Sequence, residues 1–111
     1  KEPEMTYEEQ TVLNHLRRWH LGRARAITYK NLALVLKMDA RTLRDTVSRL
    51  VTEHNALIAS TSSDGYFYIQ TEEELNHAKN EIISRVRKLA ARKRGLVKGW
   101  TMHFEPQKTL F

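Results

Sequence analysis

Three arginines and two residues with hydroxyl side chains lie on the polar side of a helix predicted over residues 40–54. These candidate contact residues are Arg41, Thr42, Arg44, Ser48 and Arg49. The apolar residues of the same segment are spaced by four, three and one, and they are Leu43, Val47, Leu50 and Val51. This pattern predicts one buried stripe and one exposed side. An exposed guanidinium can donate two hydrogen bonds to a guanine edge, and a hydroxyl can contact a base or a phosphate.

Two further helices are predicted before this segment, and each begins at a capping residue. Thr6 followed by Glu9 forms a capping box, which satisfies free amides at a helix start, and this first helix is expected to end near Gly22. Its predicted inner face comprises Val12, Leu13, Leu16 and Trp19. Thr28 caps a second helix that begins at Tyr29 and ends near residue 37. Its predicted inner face comprises Leu32, Ala33 and Leu36.

The ends of the second and third helices carry residues suited to those positions. Asp39 is a good N-cap for the third helix, because its carboxylate accepts hydrogen bonds from amides that have no partner inside the helix. Asn55 can close that helix in the left-handed region. Thr28, Tyr29 and Lys30 begin the second helix, where the amides and the helix dipole both favour an anion such as phosphate.

A small β-hairpin is predicted after the third helix. Two β-prone runs, 57–59 and 66–69, flank a polar loop, 60–65, which ends in an Asp-Gly turn signal. Ile27 is a candidate for a brief edge strand. The loop residues expected to contact a nucleic-acid backbone are Ser62 and Ser63.

This order of elements (helix, helix, tight turn, helix, hairpin) resembles the winged helix-turn-helix family. The likeness depends on the run 28–50, which reads TYKNLALVLKMDARTLRDTVSRL. Its Leu-Ala pair, the apolar residue before the N-cap, the Arg-Thr-Leu triplet and the pair Val47 and Leu50 match that family's pattern. The resemblance covers residues 6–70, and it departs from the family in a turn that lacks the usual Gly.

The resemblance implies a fold that is mainly α with a small β-hairpin (α+β), a winged helix-turn-helix followed by a long C-terminal helix. It also implies that helix 40–54 enters the major groove of double-stranded DNA. The hairpin loop 60–65, called the wing below, would then lie along the DNA backbone or in the minor groove.

The long helix is predicted over residues 71–98, and it begins at a second capping box formed by Thr71 and Glu74. Its near-heptad seam comprises Leu75, Ala78, Ile82, Val86, Leu89 and Lys93. One interpretation is a homodimer through this seam, and its contact residues would be Leu75, Ile82, Val86 and Leu89. The other is that the seam folds back onto the first helix.

The same helix is strongly basic, since the segment 83–98 contains seven basic residues and no acid. Its expected phosphate contacts are Arg85, Lys88, Arg92, Lys93 and Arg94. The alternative is a solvated helix end whose positive charge complements the helix dipole.

An extended tail is predicted over residues 99–111, because the long C-terminal helix is expected to end at Gly95 or Gly99. The last five residues, Gln-Lys-Thr-Leu-Phe, resemble the pentapeptide by which bacterial proteins dock onto the sliding clamp of DNA polymerase. The resemblance implies that Gln107, Leu110 and Phe111 bind the clamp. The alternative is that this apolar end packs on the domain's own surface.

Composition excludes several other classes. The 111 residues carry a formal net charge of +6, which suits a nucleic-acid partner, and they include no cysteine for disulfides or thiolate metal sites. His15 and His20 are five positions apart with no acid to complete a site, so no metal is expected. No nucleophile motif or phosphate-cradling glycine loop is present, so no enzymatic activity or cofactor is expected. No secretory signal or membrane span is visible, so a cytoplasmic location is expected, and the resemblances above imply the cytoplasm of a bacterial host, on DNA.

We therefore interpret the sequence as a double-stranded DNA-binding protein that resembles small bacteriophage or prophage factors of DNA replication or regulation. One alternative is a dimeric transcriptional repressor without clamp binding. The other is a protein that binds the sliding clamp or another replisome part and contacts DNA little or not at all.

Overall fold

A computed structural model describes residues 4–105 of the chain. It confirms a mainly α fold with a small β-hairpin and a long C-terminal helix. The elements are α1 (Tyr7–Trp19), a 3-10 turn (Arg23–Arg25), α2 (Tyr29–Leu36), α3 (Ala40–His54), β1 (Ile58–Thr61), β2 (Gly65–Tyr68) and α4 (Glu72–Phe104). Within 4–105, no helix has both the length and the hydropathy that crossing a membrane requires.

The start of α1 is the capping box that the sequence predicted. The Glu9 amide donates to the Thr6 hydroxyl at 3.1 Å, and the Thr6 amide donates to the Glu9 carboxylate at 3.0 Å. The prediction that Trp19 belongs to the core is wrong, because its side chain is 56% exposed. Trp19 is the last residue of α1, and the Arg18 guanidinium lies 5.0 Å from its ring centroid.

The tight turn between α2 and α3 is made without glycine. Lys37 takes the left-handed conformation (φ 57°) that Gly often supplies, and the Met38 amide closes the turn by donating to the Ala33 carbonyl at 3.0 Å. Asp39 then caps α3 by accepting from the Thr42 amide at 2.8 Å. The departure from the family pattern at this turn is therefore accommodated by a lysine.

Helix α3 has the expected bounds and almost the expected buried stripe. Asn55 ends it in the left-handed region with φ 56°. Leu43, Val47 and Leu50 are buried, whereas Val51, which was expected in the stripe, is 38% exposed. Val51 lies one position beyond Leu50, about 100° further round the helix, and so turns towards solvent.

The strands of the hairpin lie nearer to the turn than the sequence predicted, and the loop between them is shorter. Ser60 and Thr61 belong to β1, so only residues 62–64 connect the strands, and the antiparallel register pairs Ile58 with Tyr68. Ile27 forms the expected edge contact as an antiparallel bridge to Tyr66, with backbone hydrogen bonds of 2.9 and 2.7 Å.

The buried side chains form two clusters. The larger draws on α1, α2, α3 and the hairpin, and its buried members are Val12, Leu13, Leu16, Leu32, Ala33, Leu43, Val47, Leu50, Ile58 and Tyr66. The smaller comprises Ala59, Phe67, Ile69 and Ala78, with Leu75 packed against it. Each fully buried large apolar side chain stabilises the fold by about 1.5–3 kcal/mol, so this core holds α3 firmly in place.

The chain divides into two compact units, one up to Ala78 and one from Lys79 onward. Helix α4 spans the division. The predicted pair of Thr71 and Glu74 lies at its start: Thr71 accepts from the Glu74 amide at 3.1 Å, and the Glu74 carboxylate accepts from the Arg23 and Gln70 amides, each at 2.8 Å, and more weakly from the Thr71 amide. These hydrogen bonds, the one from Arg23 first, hold the pKa of Glu74 below its ordinary value.

The predicted extended tail from residue 99 is wrong for residues 99–104, because α4 continues to Phe104. A helical glycine costs only about 1 kcal/mol relative to alanine, so neither Gly95 nor Gly99 has to end the helix. Beyond Gly99, the rings of Trp100 and Phe104 stack at 4.4 Å, a contact between residues four apart that supports the last turn. The pentapeptide 107–111 lies outside the described residues.

Candidate nucleic-acid interface

The outer side of α3 presents the polar residues that the sequence assigned to it. The exposed members are Arg41, Thr42, Arg44, Asp45 and Ser48. Because Leu43, Val47 and Leu50 anchor the opposite side in the core, these side chains are fixed in direction by a rigid helix. Asp45 is the one acidic residue among them, and a carboxylate in a groove can accept from a cytosine amino group.

Arg44 lies where three elements meet. Its guanidinium carbon is 6.0 Å from the ring centroid of Tyr29, the first residue of α2. It also lies close to Tyr66 of β2: burial raises the pKa of the Tyr66 hydroxyl, while a hydrogen bond with Ser60 and the charge of Arg44 act in the opposite direction. Arg44 thus lies beside the ring at the start of α2, and its charge acts on the buried Tyr66 of the hairpin.

The start of α2 has the capping residue that the sequence predicted. Thr28 is the N-cap, and its hydroxyl accepts from the Asn31 amide at 3.3 Å. Tyr29 and Lys30 follow and are exposed. Lys30 therefore adds a positive charge to a helix end that is already electropositive.

Thr42 is exposed but takes part in the cap of α3. Its amide donates to Asp39, and hydrogen bonds from the Thr42 side chain and amide lower the pKa of that carboxyl. The Thr42 carbonyl in turn accepts from the Thr46 hydroxyl at 2.7 Å. The Thr42 hydroxyl could bind a nucleic acid only after its hydrogen bond with Asp39 breaks.

Arg49 pairs with a buried acid, although its own side chain remains 42% exposed. Its Nε donates to the Glu9 carboxylate at 2.9 Å and its Nη2 to the Thr46 hydroxyl at 3.4 Å. The Glu9 side chain is only 3% exposed, and Nε2 of His54 lies 3.2 Å from its other oxygen. Arg49 therefore ties α3 to α1, and a contact between its exposed part and DNA stays a prediction.

The surroundings of Glu9 favour its ionised form. The Arg49 hydrogen bond is the largest cause of a lowered Glu9 pKa, the Thr6 amide adds to it, and burial opposes them. A carboxylate whose pKa is lower in the folded than in the unfolded chain stabilises the fold above its ordinary pKa of 4.5, and this contribution is lost as pH falls through the lower folded value.

We therefore expect a pH-dependent difference in stability between wild type and Glu9→Gln. The amide cannot ionise, so the wild type's advantage in free energy of unfolding should shrink as pH falls below 4.5. Urea unfolding at a series of pH values checks this for both proteins. An advantage that stays constant across this range would contradict the proposed role of the Glu9 charge.

The wing presents Ser62 and Ser63 to solvent at the hairpin turn. Ser63 donates to the Asp64 carboxylate at 3.0 Å, and so does Thr61 at 3.1 Å. The Nε of Arg23 binds the same carboxylate at 2.9 Å. Burial raises the pKa of Asp64, but the hydrogen bonds from Arg23, Ser63 and Thr61 outweigh it, so the pKa lies below its ordinary value. The turn is thus held in shape by its own side chains and by Arg23, which lies 41 positions earlier in the chain.

The basic residues of α4 belong to the second unit. Lys88, Arg92, Lys93 and Arg94 are exposed, as predicted. Arg85 is exposed too, but its Nη2 lies 3.5 Å from a carboxylate oxygen of Glu81, one turn earlier. The acid-free segment 83–98 begins two positions after Glu81, so the sequence analysis did not consider this ion pair.

The apolar seam of α4 is divided between the two units. Leu75 and Ala78 pack in the smaller core cluster, so Leu75, which was also predicted to contact a second copy, is partly buried within its own chain. Ile82, Val86 and Leu89 are 56%, 59% and 59% exposed. The seam also continues further than expected, through Leu96 and Trp100, which are exposed as well.

Comparison with known proteins found no match to this chain among protein-family models, curated protein sequences or solved structures.

Proposed function

We propose that this protein binds double-stranded DNA by placing the exposed side of α3 in the major groove. The observation that carries the proposal is the placement of Arg41 and Arg44, both exposed on a helix that the core holds rigidly. A major groove accepts one α-helix, and two arginines at its N-terminal half are suited to guanine edges.

Three further features support the same orientation. The electropositive start of α2 adjoins Arg44 through Tyr29, where a phosphate is favoured. The hairpin adjoins Arg44 through Tyr66, which suits a wing beside the groove. The order of elements and the run 28–50 resemble the winged helix-turn-helix family, and their combination with a capped basic helix and a clamp-like tail resembles bacteriophage or prophage factors of DNA replication or regulation.

The test is the affinity of the full chain for duplex DNA at increasing salt, measured by fluorescence anisotropy of a labelled duplex. Each phosphate that the protein neutralises is expected to contribute about −0.9 to the slope of log K against log salt concentration. A steep negative slope supports the proposal. An absence of binding at low salt would contradict it, and would favour the interpretation as a clamp-interaction protein.

We also propose that a second copy of the chain covers the exposed seam of α4. Ile82, Val86 and Leu89 are large apolar side chains at spacings of four and three, each more than half exposed, and this is the pattern of a helix-pairing surface. A dimer would also contain two α3 helices, as DNA-binding proteins that recognise paired half-sites do.

Replacing Ile82, Val86 and Leu89 together by serine is expected to convert a dimer into a monomer, measured by analytical ultracentrifugation. The substitutions remove most of the apolar area that pairing would bury. Ser84→Ala with Ala91→Ser, on the other side of the same helix, is the matched control and should remain dimeric. A wild-type chain that is monomeric at high micromolar concentration would refute the dimer.

A further inference from the structure

Two histidines that are five positions apart meet at the C-terminal end of α1. An ideal helix would place residues five apart about 140° from one another. His20, however, is the C-cap and leaves the helix with φ −129° and ψ 48°. As a result, the Nε2 atoms of His15 and His20 lie 3.3 Å apart, with their ring centroids at 5.1 Å and their planes tilted by 46°.

The backbone fixes His20 in this position. Its Nδ1 is 2.8 Å from the Arg25 carbonyl oxygen, which can only accept, so Nδ1 carries the proton and donates it. The lone pair of His20 therefore resides on Nε2, which faces His15. A ring nitrogen held by a backbone carbonyl while the other is left open is the usual arrangement around a histidine that binds a metal.

The separation of the two nitrogens matches tetrahedral coordination. With zinc–nitrogen bonds of about 2.05 Å, nitrogens 3.3 Å apart subtend about 107° at the ion, close to the tetrahedral angle. Neighbouring ligands of an octahedral ion subtend about 90° and would lie only about 2.9 Å apart at the same bond length. Two imidazoles that converge on one ion at about 107° have ring centroids about 5.1–5.2 Å apart, in agreement with the observed 5.1 Å.

We propose that His15 and His20 bind a divalent transition-metal ion of the zinc type through their two Nε2 atoms, with water completing its coordination. The ion replaces the proton that Nε2 of His15 holds between the two nitrogens. His15 remains neutral, because its ring proton moves from Nε2 to Nδ1 by exchange with solvent.

The number of available ligands defines what kind of site this is. Within residues 4–105 there is no cluster of three or more His, Asp, Glu or Cys side chains that would provide a complete ligand set. The pair is therefore an exchangeable site, with a dissociation constant on the order of micromolar, weaker than the four-ligand structural sites.

The site is independent of the proposed DNA function, and its test uses no DNA. The chelator-stripped full chain is titrated with Zn²⁺ by isothermal titration calorimetry near neutral pH, and with Co²⁺ by visible absorption, which reports tetrahedral geometry. The comparison variant is His15→Gln, since His15 makes no hydrogen bond to the backbone that the fold would lose. The control is His103→Gln, which removes an exposed histidine of α4.

We expect one ion per chain, an affinity at least about tenfold weaker in His15→Gln, and an unchanged affinity in His103→Gln. The tetrahedral Co²⁺ spectrum should be lost in His15→Gln alone. Equal binding by wild type and His15→Gln would overturn the assignment, and so would an absence of binding up to high micromolar metal. Weakening in His103→Gln of the same size would place the ion elsewhere and overturn it as well.

Discussion

Replacing Arg41 and Arg44 together by alanine is expected to abolish specific duplex binding and to leave the fold intact. A bidentate arginine contact discriminates the correct base by about 1–3 kcal/mol, so the loss of two amounts to about 2–6 kcal/mol, or roughly 30-fold to 10⁴-fold in affinity. Both side chains are exposed, and neither belongs to the core clusters. Anisotropy with a preferred duplex measures the affinity, and thermal melting by circular dichroism measures the fold.

The matched control removes the same charge from another helix. Arg17 and Arg18 of α1 are exposed, and their guanidinium groups lie over the rings of Tyr68 and Trp19 at 5.6 and 5.0 Å. Changing both to alanine lowers the net charge by the same two units, so it should weaken binding only as much as the loss of general attraction requires. If the two double variants lose affinity equally, α3 has no special role and the assignment of its outer side is wrong.

Gly65→Ala is expected to destabilise the first unit by about 3 kcal/mol or more, because two independent obstacles add. Gly65 has φ 97°, a conformation that residues with a side chain rarely adopt. A Cβ at this position would also lie 2.3 Å from the Ile27 carbonyl oxygen and 2.8 Å from its carbon. Both are backbone atoms of the segment that pairs with Tyr66, so no flexible side chain can move aside. Urea unfolding followed by circular dichroism measures the change.

Gly95→Ala is the contrasting substitution. Gly95 is helical, and a Cβ there would meet nothing within 4 Å. Alanine should therefore stabilise the second unit's helix by about 0.5–1 kcal/mol, through its higher helix propensity. If Gly65→Ala proved as stable as wild type, the close approach of the hairpin to Ile27 would be refuted, and with it the geometry around Arg44.

The sequence was a good guide wherever the determining interaction is local. The caps Thr6, Thr28 and Asp39, and the closing residue Asn55, were all predicted, because each acts on amides or a conformation within a few positions along the chain. The buried stripe of α3 was predicted for the same reason, since it depends only on the periodicity of one helix.

The sequence was a poor guide wherever a side chain has a distant partner or a cap changes the chain's direction. Arg49 matched the exposed residues of α3 in type and spacing, but Glu9, 40 positions away, binds it. Glu9 had been assigned fully to its capping box, so no local signal indicated a second role. His15 and His20 were set aside for their spacing of five, because spacing cannot anticipate how the chain turns as it leaves a helix.

A selection from random duplexes tests most directly whether α3 recognises a site in double-stranded DNA, as proposed above. The full chain is presented with a random duplex library together with excess single-stranded competitor, and the retained sequences are compared with those retained by the Arg41→Ala/Arg44→Ala variant. We predict that wild type enriches a short guanine-containing duplex motif and that the double variant does not. Retention of single strands in preference to duplex, or no enriched motif with wild type, would contradict the claim.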